Sequence, residues 1–322
     1  MNFSTKLRER FPGAEIRENV PLGKMTTFRC GGNAACFVSP KDAGELSELL
    51  TFLRDEGEAV FLLGRGSNIL VSDSGFSGTV LSMREHFSDI AVSDDGKIRA
   101  GSGALMPDVS RAALSRGLSG LEFMAGIPGT IGGGVRMNAG AYGSEIRDII
   151  LEATLLLPDG TVRYFKKDEL ALSYRHSRIP ELSAVVIEAV FQGIPKKTEE
   201  IRARMDDLQQ RRRDKQPLNY GSAGSTFKRP EGYFAGKLIQ DAGMKGFRIG
   251  DAVVSEKHVG FVVNLGSASS SDVYRVISAV QREVMRQFSV RLEREVILLG
   301  DFPEEDAPVD AVSQEESDVI FS

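Results

Sequence analysis

Leu46, Leu49, Leu50 and Leu53 recur at the three- and four-residue spacing of a single helix face. They predict a helix opened by Pro40-Lys41-Asp42, with Asp42 as its cap, Glu45 three residues on and Gly57 as its stop. The apolar run at 59–63 predicts a short buried strand that leads straight into Gly64-Arg65-Gly66-Ser67-Asn68. Strand-like patterns follow at 79–83, 88–92 and 97–100, then a short helix over 107–116 that ends at Gly117. Residues 1–18 read as a helix leading into the fold, and 126–143 reads mostly as loop. Strands are predicted at 149–157, 161–165 and 184–192. Pro158-Asp159-Gly160 turns the first pair, since proline presets one dihedral and glycine tolerates the other.

The pattern changes near residue 194. Ile194-Pro195-Lys196-Lys197 reads as a linker, and Thr198 as the cap of a charged helix with Ile201, Met205 and Leu208 on one face. That helix ends in the basic run Arg211-Arg212-Arg213-Asp214-Lys215. The run suits either a solvated helix end that complements the dipole or contact with a phosphate-bearing ligand. A second α/β unit follows, with a helix at 234–242, strands at 252–255 and 259–264, an amphipathic helix at 272–288 and a last strand at 295–299. Many strands and few helices before residue 194 indicate an α+β class. The expected division is 1–193, with an internal boundary near 84–100, then 194–302, then an acidic, disordered tail at 303–322.

Bulk properties narrow the function. A chain of 322 residues suggests two or three domains. A net charge of -5 disfavours general nucleic-acid binding. No apolar run of about 18 residues suggests a membrane span, and the polar N-terminus lacks a signal-peptide core, so a cytoplasmic protein is expected. Cys30 and Cys36 read as packed, reduced thiols. With His86, His176 and His258 scattered, no metal site is expected.

Glycine changes the picture most. Of 34 glycines, 16 lie between Gly64 and Gly143, a quarter of the chain. Backbone amides in such loops can converge on a pyrophosphate because no side chain blocks the approach. Gly64-Arg65-Gly66 and Gly101-Ser102-Gly103 both lack the third glycine of the Rossmann fingerprint, and no glycine loop ends in Lys-Ser or Lys-Thr as a P-loop does. A glycine-built dinucleotide site outside those folds points to FAD.

Six segments then carry a resemblance, in order. They are residues 26–40, Gly64–Asp73, Gly126–Gly143, Ser173-Tyr174-Arg175-His176-Ser177, Ala223-Gly224-Ser225-Thr226-Phe227-Lys228 and Leu292-Glu293-Arg294-Glu295-Val296. Together they resemble the bacterial UDP-N-acetylenolpyruvoylglucosamine reductase (MurB) family over about residues 18–300. The resemblance implies an FAD-binding domain of the vanillyl-alcohol-oxidase (PCMH) type, made of two α+β subdomains, and a C-terminal α/β substrate domain. It implies FAD, NADPH as co-substrate and a UDP-sugar substrate, in peptidoglycan precursor synthesis. No His or Cys lies within either principal glycine loop, so non-covalent FAD is expected, and no nucleic-acid or membrane partner and a monomeric state are expected.

Residue by residue, the resemblance puts Arg175 near flavin and substrate carboxylate, Ser225 as proton donor, Lys228 as a candidate to polarise that serine, and Glu295 beside the enol. For FAD it points to Gly64, Gly66, Ser67 and Asn68 in the first loop. In the second it points to Gly126, Pro128, Gly129, Ile131, Gly132, Gly133, Asn138 and Gly140, with Arg65 and Arg136 behind them. Lys228 and Arg229 are the candidate substrate-binding pair. The chain departs from the family pattern at three places: it lacks the insertion that carries a covering tyrosine, Arg229 stands where asparagine is frequent, and Arg294 where proline is frequent. A flavin oxidase of the same fold, or a flavin or nucleotide-sugar binder without turnover, are the competing readings.

Overall fold

The leucine stripe forms the helix Ala43–Asp55, with Leu46, Leu49 and Leu53 fully buried. Asp42 caps it as expected: its Oδ1 accepts from the Glu45 N–H at 2.8 Å, while Glu45 Oε2 accepts from the Lys41 N–H at 2.7 Å. A computed structural model describes residues 3–302, so the expected acidic tail lies outside the described residues.

That helix covers a four-stranded sheet in the order Glu15–Pro21, Asn33–Ser39, Phe76–Ser82, Val60–Leu63. The first pair is antiparallel and the others are parallel. Alternate residues serve opposite faces. Val38, Val60 and Leu81 pack toward the helix, whereas Phe37, Phe61 and Val80 pack on the other side. A second sheet is antiparallel throughout, in the order Val162–Lys166, Ile150–Leu156, Val185–Gln192, Lys97–Gly101, Ile90–Val92. The helix Met106–Ser115 shares its core. The turn before Thr161 forms as read, with Gly160 at φ +83° and Asp159 accepting from the Thr161 N–H.

The third unit sets the helix Ser270–Phe288 on the strands Arg248–Ile249, Ala252–Val254 and Val262–Asn264. Two contacts bind it back to the first sheet unit. Ile297–Leu299 pairs in parallel with Ile69–Val71, the strand just past the first glycine loop. Asp73 accepts from the backbone N–H groups of Ser270 and Ser271 at the start of the long helix, at 2.8 and 2.9 Å. The segment Ile297–Leu299 therefore returns to the glycine loop, which matters for the site.

Several expectations need correction. The N-terminal helix covers only Phe3–Arg10. Glu15–Pro21 is a strand, because its backbone finds a full antiparallel partner in Asn33–Ser39. The stretch 126–143 is not mostly loop: Ile131–Arg136 is helical despite three glycines, since Ile131 and Val135, four residues apart, both enter the core. Lys197, not Thr198, occupies the cap position of the helix Thr198–Lys215. The linker at 194–197 contains a short strand, with Ile194–Pro195 pairing with Leu118–Ser119. The strand expected from 259 starts at Val262, after a turn closed by the Phe261 N–H on the His258 carbonyl.

Candidate active site

The glycine loops meet the C-terminal unit around one cavity of about 1140 Å³, above the ~300–1,000 Å³ of common small-molecule pockets. The first loop turns through Gly66 at φ +67°, and a Cβ there would lie 2.4 Å from the Met25 carbonyl oxygen. Only glycine satisfies both demands. Gly64, Gly66, Ser67 and Asn68 all border the cavity. From the second segment, Pro128, Gly129, Gly133 and Gly140 border it, as do Arg65 and Arg136.

Four other sequence-derived cofactor residues do not. The Ile131 side chain lies in the core of the second sheet unit. Gly132 faces Ser102, donating its N–H to the Ser102 carbonyl at 2.8 Å. Gly126 lies against Arg212 rather than on the wall. Asn138 is fully buried, with Nδ2 donating to the Ser173 carbonyl and Oδ1 accepting from the Arg147 N–H, both at 2.8 Å. Asn138 thus braces the turn that carries Arg175.

That turn is tight, with reciprocal backbone bonds between Ser173 and His176. Arg175 stands at φ +53°, a left-handed conformation that costs a non-glycine residue about 1 kcal/mol. Its Nε donates to Glu295 Oε1 at 2.6 Å, and the two side chains are only 20% and 10% exposed. Burial pushes the Glu295 carboxyl above its ordinary range, while Arg175 and then Lys228 pull it back. The pair therefore sets a guanidinium against a carboxyl that burial raises.

Asn68 fixes the backbone under Glu295. Its Nδ2 donates to the Glu295 carbonyl at 2.8 Å, and its own carbonyl accepts from the Ile297 N–H at 3.0 Å. The Glu295 N–H in turn donates to the Thr226 carbonyl at 2.9 Å, next to Ser225. Ser225, Arg175 and Glu295 all border the cavity. Three stretches far apart in sequence are so brought to one wall.

Lys228 does not serve Ser225. It pairs with Glu293 at 3.5 Å, and its backbone is fixed on the Glu293 carbonyl. Arg229 stacks on Phe234 at 3.9 Å and donates its backbone N–H to the Tyr174 hydroxyl at 3.1 Å, so it neighbours Arg175 through Tyr174. Neither Lys228 nor Arg229 borders the cavity. Sequence reasoning left Gln216 unremarked and treated Arg212 only as one member of a basic run. Both border the cavity, and their four-residue spacing at a helix end was the available signal.

Comparison with known proteins agrees with this geometry. Residues 34–166 match an FAD binding domain, and 216–299 match the C-terminal domain of UDP-N-acetylenolpyruvoylglucosamine reductase. A reductase of that name from Agathobacter rectalis is 47% identical over 311 residues, covering 93% of this chain and 99% of its own. The chain belongs to the UDP-N-acetylenolpyruvoylglucosamine reductase family. Another relative of that name, from Clostridium perfringens, is 45% identical over 93% of this chain and 98% of its own. The crystal structure of the reductase from Thermus caldophilus is 34% identical, with a TM-score of 0.75 over 89% of this chain and all of its own.

The cavity fits the FAD that this reductase family and the matched domain imply. Gly133 is the clearest indicator. It sits within a helix, and a Cβ added there would meet only Thr130 Oγ1, at 3.7 Å, so the protein itself leaves room for a side chain. A glycine in mid-helix costs ~0.5–1 kcal/mol relative to alanine, a cost that close approach of a cofactor at Gly133 would explain. Gly133→Ala should therefore raise the melting temperature of the apoprotein while weakening FAD retention about tenfold or more. Apoprotein melting and FAD titration check both halves; unchanged FAD affinity would remove Gly133 from the cofactor surface.

Proposed function

We propose that the protein reduces UDP-N-acetylglucosamine enolpyruvate to UDP-N-acetylmuramate, using NADPH and non-covalently held FAD, in the cytoplasm and as a monomer. The observation that carries this reading is the Arg175–Glu295 pair at 2.6 Å on the same cavity wall as Ser225, beside the glycine loops. Bound FAD supplies a two-electron relay from NADPH to the enolpyruvyl double bond. The chain's own residues supply charge, acid and position.

Reduction at the β carbon leaves negative charge at the α carbon and its carboxylate. Arg175 offers a guanidinium charge and a planar fork suited to a carboxylate. Ser225 Oγ is exposed at the cavity wall and makes no hydrogen bond to another described residue, which leaves its proton free for the α carbon. Glu295, its carboxyl raised by burial, hydrogen-bonds the developing enolate when protonated. Asn68 and Asn138 hold Glu295 and the Arg175 turn in place. Cys30 also borders the cavity, and burial pushes its thiol up to about 11, which disfavours the thiolate. Among the described residues, no helix is long and apolar enough to cross a membrane.

An anaerobic spectrum in the flavin band tests the reading. NADPH should bleach the band, and UDP-N-acetylglucosamine enolpyruvate should restore it. Bleaching without recovery would move the search to another acceptor, and a protein that stays colourless with added FAD would end the flavin assignment. Gel filtration at the mass of one 35.0 kDa chain is the expected oligomeric result.

A further inference from the structure

Ser225 stands on a loop that leaves the strand Val262–Asn264 and returns to it. At the departure, Gly221 is bridged to Asn264, whose N–H donates to the Gly221 carbonyl at 2.8 Å. Ser222, Ala223, Gly224 and Ser225 then border the cavity. Gly224 turns at φ +79°, with open space where a side chain would stand. The chain returns at Thr226, whose N–H donates to the Gly260 carbonyl at 2.9 Å.

At this return a side chain does the work of a strand partner. The Val262 N–H donates to Thr226 Oγ1 at 3.0 Å, in a buried setting, and not to a carbonyl of the returning loop. Thr226 is 1% exposed and does not border the cavity. Its carbonyl accepts from the Glu295 N–H at 2.9 Å. The bridge between Phe227 and Arg294 and the Lys228 N–H on the Glu293 carbonyl continue that antiparallel pairing. Its N–H, its C=O and its hydroxyl are thus each committed to a different residue, on Gly260, Glu295 and Val262. A buried hydroxyl is costly unless bonded, and this one also satisfies a buried N–H that would otherwise be orphaned. Valine would match its shape but supply no acceptor.

We propose that Thr226 is a positioning residue for the neighbouring Ser225. Its hydroxyl pins the foot of the loop to the strand Val262–Asn264, and its carbonyl ties the same foot to Glu295. Together they set where Ser225 Oγ stands relative to Glu295 across the cavity wall. The assignment rests on Ser225 being the proton donor. Placement of a reacting group is demanding: an error of about 1 Å can cost ~10²-fold in rate.

The test uses the full-length, FAD-loaded protein. Thr226→Val removes the acceptor, Thr226→Cys leaves a weak one and Thr226→Ser keeps it. Ser225→Ala and the double variant Ser225→Ala/Thr226→Val complete a cycle. Flavin reduction by NADPH and reoxidation by UDP-N-acetylglucosamine enolpyruvate are followed separately in single turnovers. Reoxidation should slow about 10–100-fold in Thr226→Val, less in Thr226→Cys, and be rescued in Thr226→Ser, with flavin reduction near the wild-type rate throughout. In the Ser225→Ala background, Thr226→Val should cost nothing further, because the group it positions is gone. Unchanged reoxidation in Thr226→Val overturns the proposal. So does a full additional loss in the double variant, or an equal slowing of both half-reactions, since either makes Thr226 a purely structural residue. If Thr226→Val fails to fold, Thr226→Cys decides by the same criteria. If Ser225→Ala itself leaves reoxidation unchanged, the proton-donor reading fails, and the positioning role falls with it.

Discussion

Ser225→Ala should leave flavin reduction by NADPH near the wild-type rate and slow reoxidation by the enolpyruvyl substrate about a thousandfold. The size follows from the ~10²–10⁴ that a positioned proton donor contributes; a thousandfold corresponds to about 4 kcal/mol of barrier. Two features make the split expected. Removing one oxygen from an exposed side chain that bonds no other described residue should leave the fold unstrained. The backbone at this point is held independently, by the Thr226 N–H on the Gly260 carbonyl at 2.9 Å and the Glu295 N–H on the Thr226 carbonyl. Single-turnover absorbance separates the half-reactions. If reoxidation keeps its rate, the α-carbon proton comes from elsewhere, and the cavity-bordering Glu295 becomes the first alternative. If both half-reactions slow together, Ser225 acts on binding or flavin placement instead.

The fold was most legible where local chemistry and packing agree. Asp42, Glu45 and the leucine stripe specify one helix by both capping and burial, and the helix forms there. The helix Ile131–Arg136 was hidden because glycine propensity argues against it; only long-range burial of Ile131 and Val135 overrides that preference. The strand Glu15–Pro21 was hidden for a related reason: its partner Asn33–Ser39 supplies bonds that the segment alone does not display. The site divides in the same way. Gly66 could be read because the turn takes it to φ +67° locally, whereas Gly64 is crowded by Thr130, 66 positions away, a contact the loop itself does not display. The contact of Asn68 with the Glu295 carbonyl spans 227 positions and arises from the parallel pairing of Ile69–Val71 with Ile297–Leu299. No motif within either segment encodes that meeting. Asn138 misled for the opposite reason: it lies in a cofactor-like motif, yet its amide is consumed in bracing the arginine turn.

Glu295→Gln should slow flavin reoxidation about 10²–10³-fold, the range of an electrostatic group aimed at developing charge, and should abolish the alkaline limb of its pH profile. The sign follows from the environment. Burial raises the Glu295 carboxyl, so its acid form persists above the ordinary carboxylate range. The acid form can donate to the enolate and the ionised form repels it, so the rate falls as pH rises through the raised value. Glutamine still accepts from Arg175 Nε but does not titrate, which removes this group's limb while keeping the geometry of the 2.6 Å contact. Arg175→Gln makes a complementary prediction. Arg175 lowers the Glu295 value, so its loss should move the limb to higher pH even as the overall rate drops. Pre-steady-state reoxidation rates measured across pH for the three proteins distinguish the cases. A limb that survives unchanged in Glu295→Gln belongs to another group. A limb that moves to lower pH in Arg175→Gln means that the arginine does not stabilise the ionised carboxylate, and the pair would then have to be read as a structural clasp between the turn at 173–176 and the C-terminal unit.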